Sequence, residues 1–285
     1  MNLIATSTGA QLHRYADFQS AHVAPRHVEV WLPPGYARGE GPYPVIYMHD
    51  GQNLFDPAMA YIGVDWAIDR AMNSLIDQGL TAGAIVVGIW NTERRRREYM
   101  PEQSLSSPSG RTVLADLSRA NGGPPLSDAY LRMLVHEVKP LIDAGYRTLP
   151  ERAHTFVMGS SMGGLISLYA LCQYPQIFGG AACVSTHWPI GGTLLVEAMA
   201  AALPPPGAHR LYFDYGTATL DAGYEPYQRH MDRLLLAAGY EQGRDCLTRK
   251  FPGAEHSERA WRERAAIPLG FLLTPPPPAP TSTTG

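Results

Sequence analysis

Ser161 lies at the centre of Gly159-Ser160-Ser161-Met162-Gly163, a Gly-x-Ser-x-Gly pattern entered from the apolar run Phe156-Val157-Met158 and leading into a helix-like segment. A serine hydroxyl attacks a carbonyl when a base takes its proton, an acid orients that base and N–H donors receive the oxyanion. The spacing supplies the first element of such a site, a nucleophile elbow. Glycines two residues either side of the serine permit a strained strand-to-helix turn in which any side chain would strike neighbouring backbone. The turn presents the hydroxyl at a helix N-terminus, where free N–H groups favour negative charge.

Candidates for the remaining roles follow other apolar runs. Of ten histidines, His256 suits the base best. It stands in the loop Phe251-Pro252-Gly253-Ala254-Glu255-His256, after a strand ending near Lys250 and before a helix carrying Trp261. Its place late in the chain also matches the order Ser, acid, His of such sites. His187 is the rival, but it precedes every good acid, and His49 reads as a shaper of the oxyanion loop. For the acid, Asp221 is preferred, a few residues past a strand where a carboxylate can reach back to the histidine. Asp214 suits a turn-capping role, and Glu225 is third. Oxyanion donors are expected from the backbone N–H of Met162 and from Gly51 or Gln52 in His49-Asp50-Gly51-Gln52-Asn53.

The elements that must position these residues alternate along the chain. Val45-Ile46-Tyr47-Met48 and Ala84 to Trp90 are continuous apolar runs of buried strands, while Val28, Val30 and Leu32 alternate with polar residues like a half-exposed strand. Helical periodicity runs from Val64 to Ile76, and again through Tyr227, Met231, Leu234 and Leu235. Further strands are expected at Gly180–Val184 and around Leu211-Tyr212-Phe213. Alternating strands and helices imply an α/β fold, a mostly parallel central sheet with helices on both faces and the site at the carboxyl ends of its strands.

With 285 residues, 45% of them hydrophobic, the chain can bury one large core, and a single domain over residues 1–272 is expected. From residue 273 the Pro- and Thr-rich segment ending at Gly285 reads as a flexible tail. A formal net charge of −3 offers no broad attraction for nucleic acid or anionic membrane, so a small or oligosaccharide substrate is favoured. Cys172, Cys183 and Cys246 lack metal-site spacing, and the chemistry needs neither metal nor cofactor. No signal peptide or 18-residue apolar run is present, which points to the cytoplasm for the chain as given, or to secretion or the periplasm if a leader was removed.

Aromatic residues beside strand ends, Trp90, Tyr99 and Trp188, are candidates to line the substrate pocket. The run Arg94–Arg97, bracketed by Glu93 and Glu98, reads as a solvated charged face or as a grip for a substrate anion, with Arg97 the first candidate contact. The Gly-, Pro- and Ser-rich stretch from Ser104 to Ser127 reads as a long loop, either a flap over the site or a surface insertion.

Taken together, the Tyr47–Asp56 segment, the Gly159–Gly164 elbow, Phe213-Asp214-Tyr215-Gly216-Thr217 and His256 followed by Trp261 resemble the "putative esterase" (esterase D-like) family of α/β-hydrolases. That family includes feruloyl and acetyl xylan esterases, enterobactin-type siderophore esterases, S-formylglutathione hydrolases and mycolyltransferases. The resemblance spans residues 25 to 272 and implies Ser161 as nucleophile, His256 as base and the loop after Gly216 as the home of the acid. Many relatives carry a carboxylate about three residues past this glycine, where the present chain has Thr219. The implied activity is that of a serine carboxylesterase, acting on feruloyl or acetyl groups of plant polysaccharide or on siderophore-type esters. An acyltransferase with the same triad and a non-enzymatic binding module are the alternatives.

Overall fold

The computed structural model describes residues 2–5 and 11–274. The strands are β1 (Asn2–Ala5), β2 (Gln11–Phe18), β3 (Arg26–Leu32), β4 (Val45–His49), β5 (Ile85–Ile89), β6 (Thr155–Ser160), β7 (Gly180–Val184), β8 (Arg210–Gly216) and β9 (Cys246–Phe251). They form one sheet in the order β1-β2-β3-β5-β4-β6-β7-β8-β9. From β5 to β9 neighbouring strands run parallel, whereas β1, β2 and β3 add an antiparallel flank.

Because successive side chains of a strand point to opposite faces, each apolar run feeds two cores. Val45, Tyr47, Val157, Leu211 and Phe213 pack on one face, while Ile46, Met48, Phe156, Met158 and Tyr212 pack on the other. The first face is covered by α3 (Pro108–Ala120), α4 (Ser127–Met133), α5 (Lys139–Gly145), α6 (Met162–Gln173), α7 (Gly192–Ala201) and α8 (Glu225–Ala237). The second is covered by α1 (Ile68–Asp77), α9 (Glu258–Arg264) and α10 (Ala266–Leu273). One turn, α2 (Arg95–Glu98), follows β5 at the carboxyl edge of the sheet.

Three local expectations need correction. Strand β3 is buried along nearly its whole length, because its polar residues are paired within the protein: Arg14 binds Glu29 and Arg26 binds Glu98. The stretch from Ser104 is not a loop but largely helix α3, with Ser107 accepting from the Gly110 N–H as N-cap and Pro108 in the first turn. Val113, Leu114 and Leu117 tie it to the core. The helix expected from Val64 begins at Ile68, after Ala67 adopts a left-handed conformation. All three cysteines are free. Of the expected tail, Leu273 ends α10 and residues from 275 onward lie outside the described residues.

Candidate active site

Six parallel strands deliver their carboxyl ends to one edge, and the polar residues of interest follow them: Asp50 after β4, Asn91 after β5, Ser161 after β6, Ser185 after β7, Asp221 after β8 and His256 after β9. Ser161 has φ +58° and ψ −120°, a conformation that L-residues rarely adopt. The turn is so tight that a Cβ on Gly159 would come within 2.8 Å of the Gly163 backbone. Helix α6 starts at Met162, so its first N–H groups lack acceptors within the helix.

Across the edge, the imidazole of His256 is oriented by a carboxylate. Its Nδ1 lies 2.6 Å from Asp221 Oδ1. The other carboxylate oxygen accepts from Ser185 Oγ and from the Gly216 N–H, both at 2.6 Å. Burial alone would raise the Asp221 carboxyl; the bonds from His256, Ser185 and Gly216 outweigh it and hold the group below the usual carboxylate range. Thr219 accepts the backbone N–H of His256 at 2.8 Å and so pins the histidine loop. Asp214 is committed elsewhere, bound by Arg264 at 2.9 and 3.2 Å and by Tyr212 at 2.9 Å. Glu225 pairs with Lys250 and Arg229 near the surface.

The loop after β4 is held from beneath. The α-carbon of Gly51 lies against β5, where a Cβ would approach the Gly88 carbonyl carbon to 2.5 Å. Asp50, itself left-handed at φ +59°, accepts from Arg95 Nε at 2.6 Å, from Arg95 Nη2 at 2.8 Å and from Asn91 Nδ2 at 2.6 Å. Gln52 accepts the Asn91 N–H through its side chain at 3.1 Å. His49 is buried below, its Nδ1 2.8 Å from the Tyr130 hydroxyl.

A cleft of about 500 Å³ opens over this edge, and Ser161, His256, Gln52, Arg95 and Arg96 all line it. Its rim carries the apolar side chains of Tyr61, Ile62 and Leu220, which are 86%, 41% and 59% exposed. The aromatic candidates lie elsewhere. Tyr99 is fully buried and accepts the Asp50 N–H through its hydroxyl, and Trp188 is buried with its Nε1 on Gln228. Trp90 stacks edge-on against His27 with Arg14 over its ring.

The arginine run separates by helical geometry, since successive residues point about 100° apart. Arg95 turns inward to Asp50 and Arg96 faces the cleft, while Arg97 is tied to the Pro124 carbonyl at 2.7 Å. Glu98 is not a solvated neighbour of the run but a fully buried partner of Arg26 at 2.6 Å. The sequence marks Asn91 and the Arg94–Arg97 run only by their place after a strand and gives Arg95, Ser185 and Tyr224 no individual role. The Asp50–Arg95 contact spans 45 residues, and no local pattern carries it.

This sheet, the strained serine turn and the site at the carboxyl edge define an α/β-hydrolase fold. A sequence model of the family described as "Putative esterase" matches residues 20–264, and the chain belongs to that family; it is a carboxylic ester hydrolase. Among curated proteins, an uncharacterized protein of Bacillus subtilis (strain 168), YbbA, is 26% identical over 257 residues, covering 87% of this chain and 92% of that one. A solved ferulic acid esterase is 18% identical with a TM-score of 0.65, the alignment covering 93% of this chain and 98% of that one. An IroE-like serine hydrolase from Shewanella oneidensis is 22% identical with a TM-score of 0.67, covering 92% and 80%. No helix among the described residues is long and apolar enough to cross a membrane.

Proposed function

We propose that the protein hydrolyses esters through a triad of Ser161, His256 and Asp221. The observation that carries this reading is the 2.6 Å contact of His256 Nδ1 with Asp221, beside a strained Ser161 that opens on the same cleft. In this mechanism His256 Nε2 takes the Ser161 proton, Oγ attacks the ester carbonyl, and the backbone N–H groups of Met162 and of Gly51 or Gln52 hold the oxyanion. His256 then gives its proton to the departing alcohol. Water, activated by the same histidine, releases the acid from the acyl-enzyme.

The rim supports a reading of the substrate class. Tyr61, Ile62 and Leu220 offer apolar surface to an aryl or acyl group, and Arg96 stands free on the cleft wall to meet an anionic substituent. Aromatic acyl esters of the kind named for the ferulic acid esterase, on an oligosaccharide or small-molecule alcohol, suit such a rim.

The test is hydrolysis of p-nitrophenyl acetate by the protein beside its Ser161→Ala variant, both checked by circular dichroism. Release of p-nitrophenolate confined to the unsubstituted protein is expected. Equal rates in both would remove Ser161 from the reaction.

A further inference from the structure

The buried hydroxyl of Ser185 takes no part in the proton transfers proposed above, yet three polar groups converge on it. Ser185 follows β7 in a left-handed conformation, φ +41°, and its backbone N–H donates to the Asp214 carbonyl at 3.0 Å. Trp261 Nε1 donates to its Oγ at 3.1 Å and Arg264 Nη2 at 2.9 Å, both from one face of α9. The same Oγ lies 2.6 Å from Asp221 Oδ2. Trp261 also meets the catalytic imidazole directly, its ring edge-on to that of His256 with centroids 4.9 Å apart.

The hydrogens at Ser185 admit one arrangement. A hydroxyl has one hydrogen and two lone pairs, whereas an indole N–H and a guanidinium can only donate. Trp261 and Arg264 fill the lone pairs, so the hydroxyl hydrogen points to Asp221. An ionised carboxylate has no hydrogen to give, and Asp221 accepts at both oxygens: from Ser185 and the Gly216 N–H on Oδ2, and from His256 Nδ1 on Oδ1. The imidazole proton therefore sits on Nδ1, which leaves Nε2 with the lone pair that a base needs. Donors on Oδ2 also draw off part of the negative charge that faces the histidine.

We propose that Ser185 is a positioning residue of the triad, whose hydroxyl, turned by Arg264 and Trp261, fixes the Asp221 carboxylate toward His256 and takes up part of its charge. The proposal rests on the esterase reading of Ser161, His256 and Asp221. No bond forms or breaks at Ser185, and its hydrogen stays on Oγ throughout. What it sets is how tightly the coupled His256–Asp221 pair keeps the proton that passes from Ser161 to the leaving alcohol. Without that donor the carboxylate presents a fuller charge, the imidazolium beside it is stabilised, and the base stays occupied to higher pH. The other ionisable groups around the pair are Glu258 of α9, His187 after β7, Tyr224 against the imidazole, and Arg95 and Arg96 across the cleft. Glu255 is paired with Arg259 and Asp214 with Arg264, so a change at Ser185 alone leaves each of these charges in place.

Ser185→Ala and Ser185→Gly both remove the hydroxyl, but only glycine takes φ +41° without steric cost. The two variants should therefore differ in denaturant unfolding and agree in chemistry. The measurement is kcat/KM for p-nitrophenyl acetate against pH, over the range where circular dichroism shows each protein folded. In both variants the acid limb is expected to move up by about 0.5–1 pH unit, which lowers activity below the limb about 3- to 10-fold relative to the plateau. If the alanine variant does not fold, the glycine variant decides the matter. An unmoved limb, a shift to lower pH, or a shift confined to the less stable of two folded variants would overturn the proposal. No turnover by the unsubstituted protein would instead overturn the esterase reading.

Discussion

Arg95 grips Asp50 with two parallel hydrogen bonds, 2.6 and 2.8 Å long, and thereby clamps the loop after β4 to the short helix after β5. The loop it clamps is the one that brings Gln52 and Asn53 to the cleft. Burial would raise the Asp50 carboxyl, but the guanidinium outweighs it and keeps the carboxylate charged. Lysine retains the charge and loses the fork, so Arg95→Lys is expected to lower stability by about 1–2 kcal/mol and kcat by roughly 10-fold. Denaturant unfolding and steady-state kinetics on one ester measure both.

Asp214 and Asp221 are seven residues apart and divide two jobs. Asp221→Asn is expected to cost about 10⁴-fold in kcat with the fold kept, since the amide no longer secures the imidazole proton on Nδ1. Asp214→Asn leaves the buried Arg264 guanidinium without its counter-charge, at a cost of about 3–5 kcal/mol, while kcat of the folded fraction stays near normal. The reverse pattern would exchange the two assignments.

Acid should destabilise the fold before the carboxylates titrate. Burial pushes the His49 imidazole down to about 3 and that of His187 to about 4, from an ordinary value of 6.5. Below pH 6.5 the unfolded chain therefore binds protons that the native protein refuses. The stability each histidine contributes is full above 6.5 and falls by roughly 1.4 kcal/mol per pH unit as the pH drops toward its folded value. Guanidinium midpoints measured from pH 7.5 to 4.5 should fall accordingly, and less steeply in His187→Asn. A flat profile would contradict the burial of both rings as neutral groups.

On the cleft wall, Arg96 makes specificity testable without touching the chemistry. Arg96→Glu is expected to raise KM about 3- to 10-fold for a p-nitrophenyl ester of a dicarboxylic acid, and to leave KM for the neutral acetate within about twofold. The same substitution at Arg97, held by the Pro124 carbonyl, should not separate the two substrates.

Much of the protein was legible from the chain alone, and for a physical reason. Strand runs such as Val45–His49 and Ile85–Ile89 are buried on both faces, so they are apolar throughout and announce a parallel sheet. The elbow is written in the sequence because its geometry excludes side chains at Gly159, and the late His256 follows from the order in which the strands are used. The substrate-lining residues were not legible. Trp90, Tyr99 and Trp188 stand beside strand ends as pocket residues would, yet side-chain direction and packing bury the last two and turn the first toward His27. Only the tertiary structure selects Arg95 and Arg96 from four consecutive arginines, brings Ser185 under Asp221 and sets Tyr224 between His256 and His187. Those relations join residues from separate strand ends across 32 to 45 positions of sequence, and what decides them is the order of strands in the sheet, which no local spacing encodes.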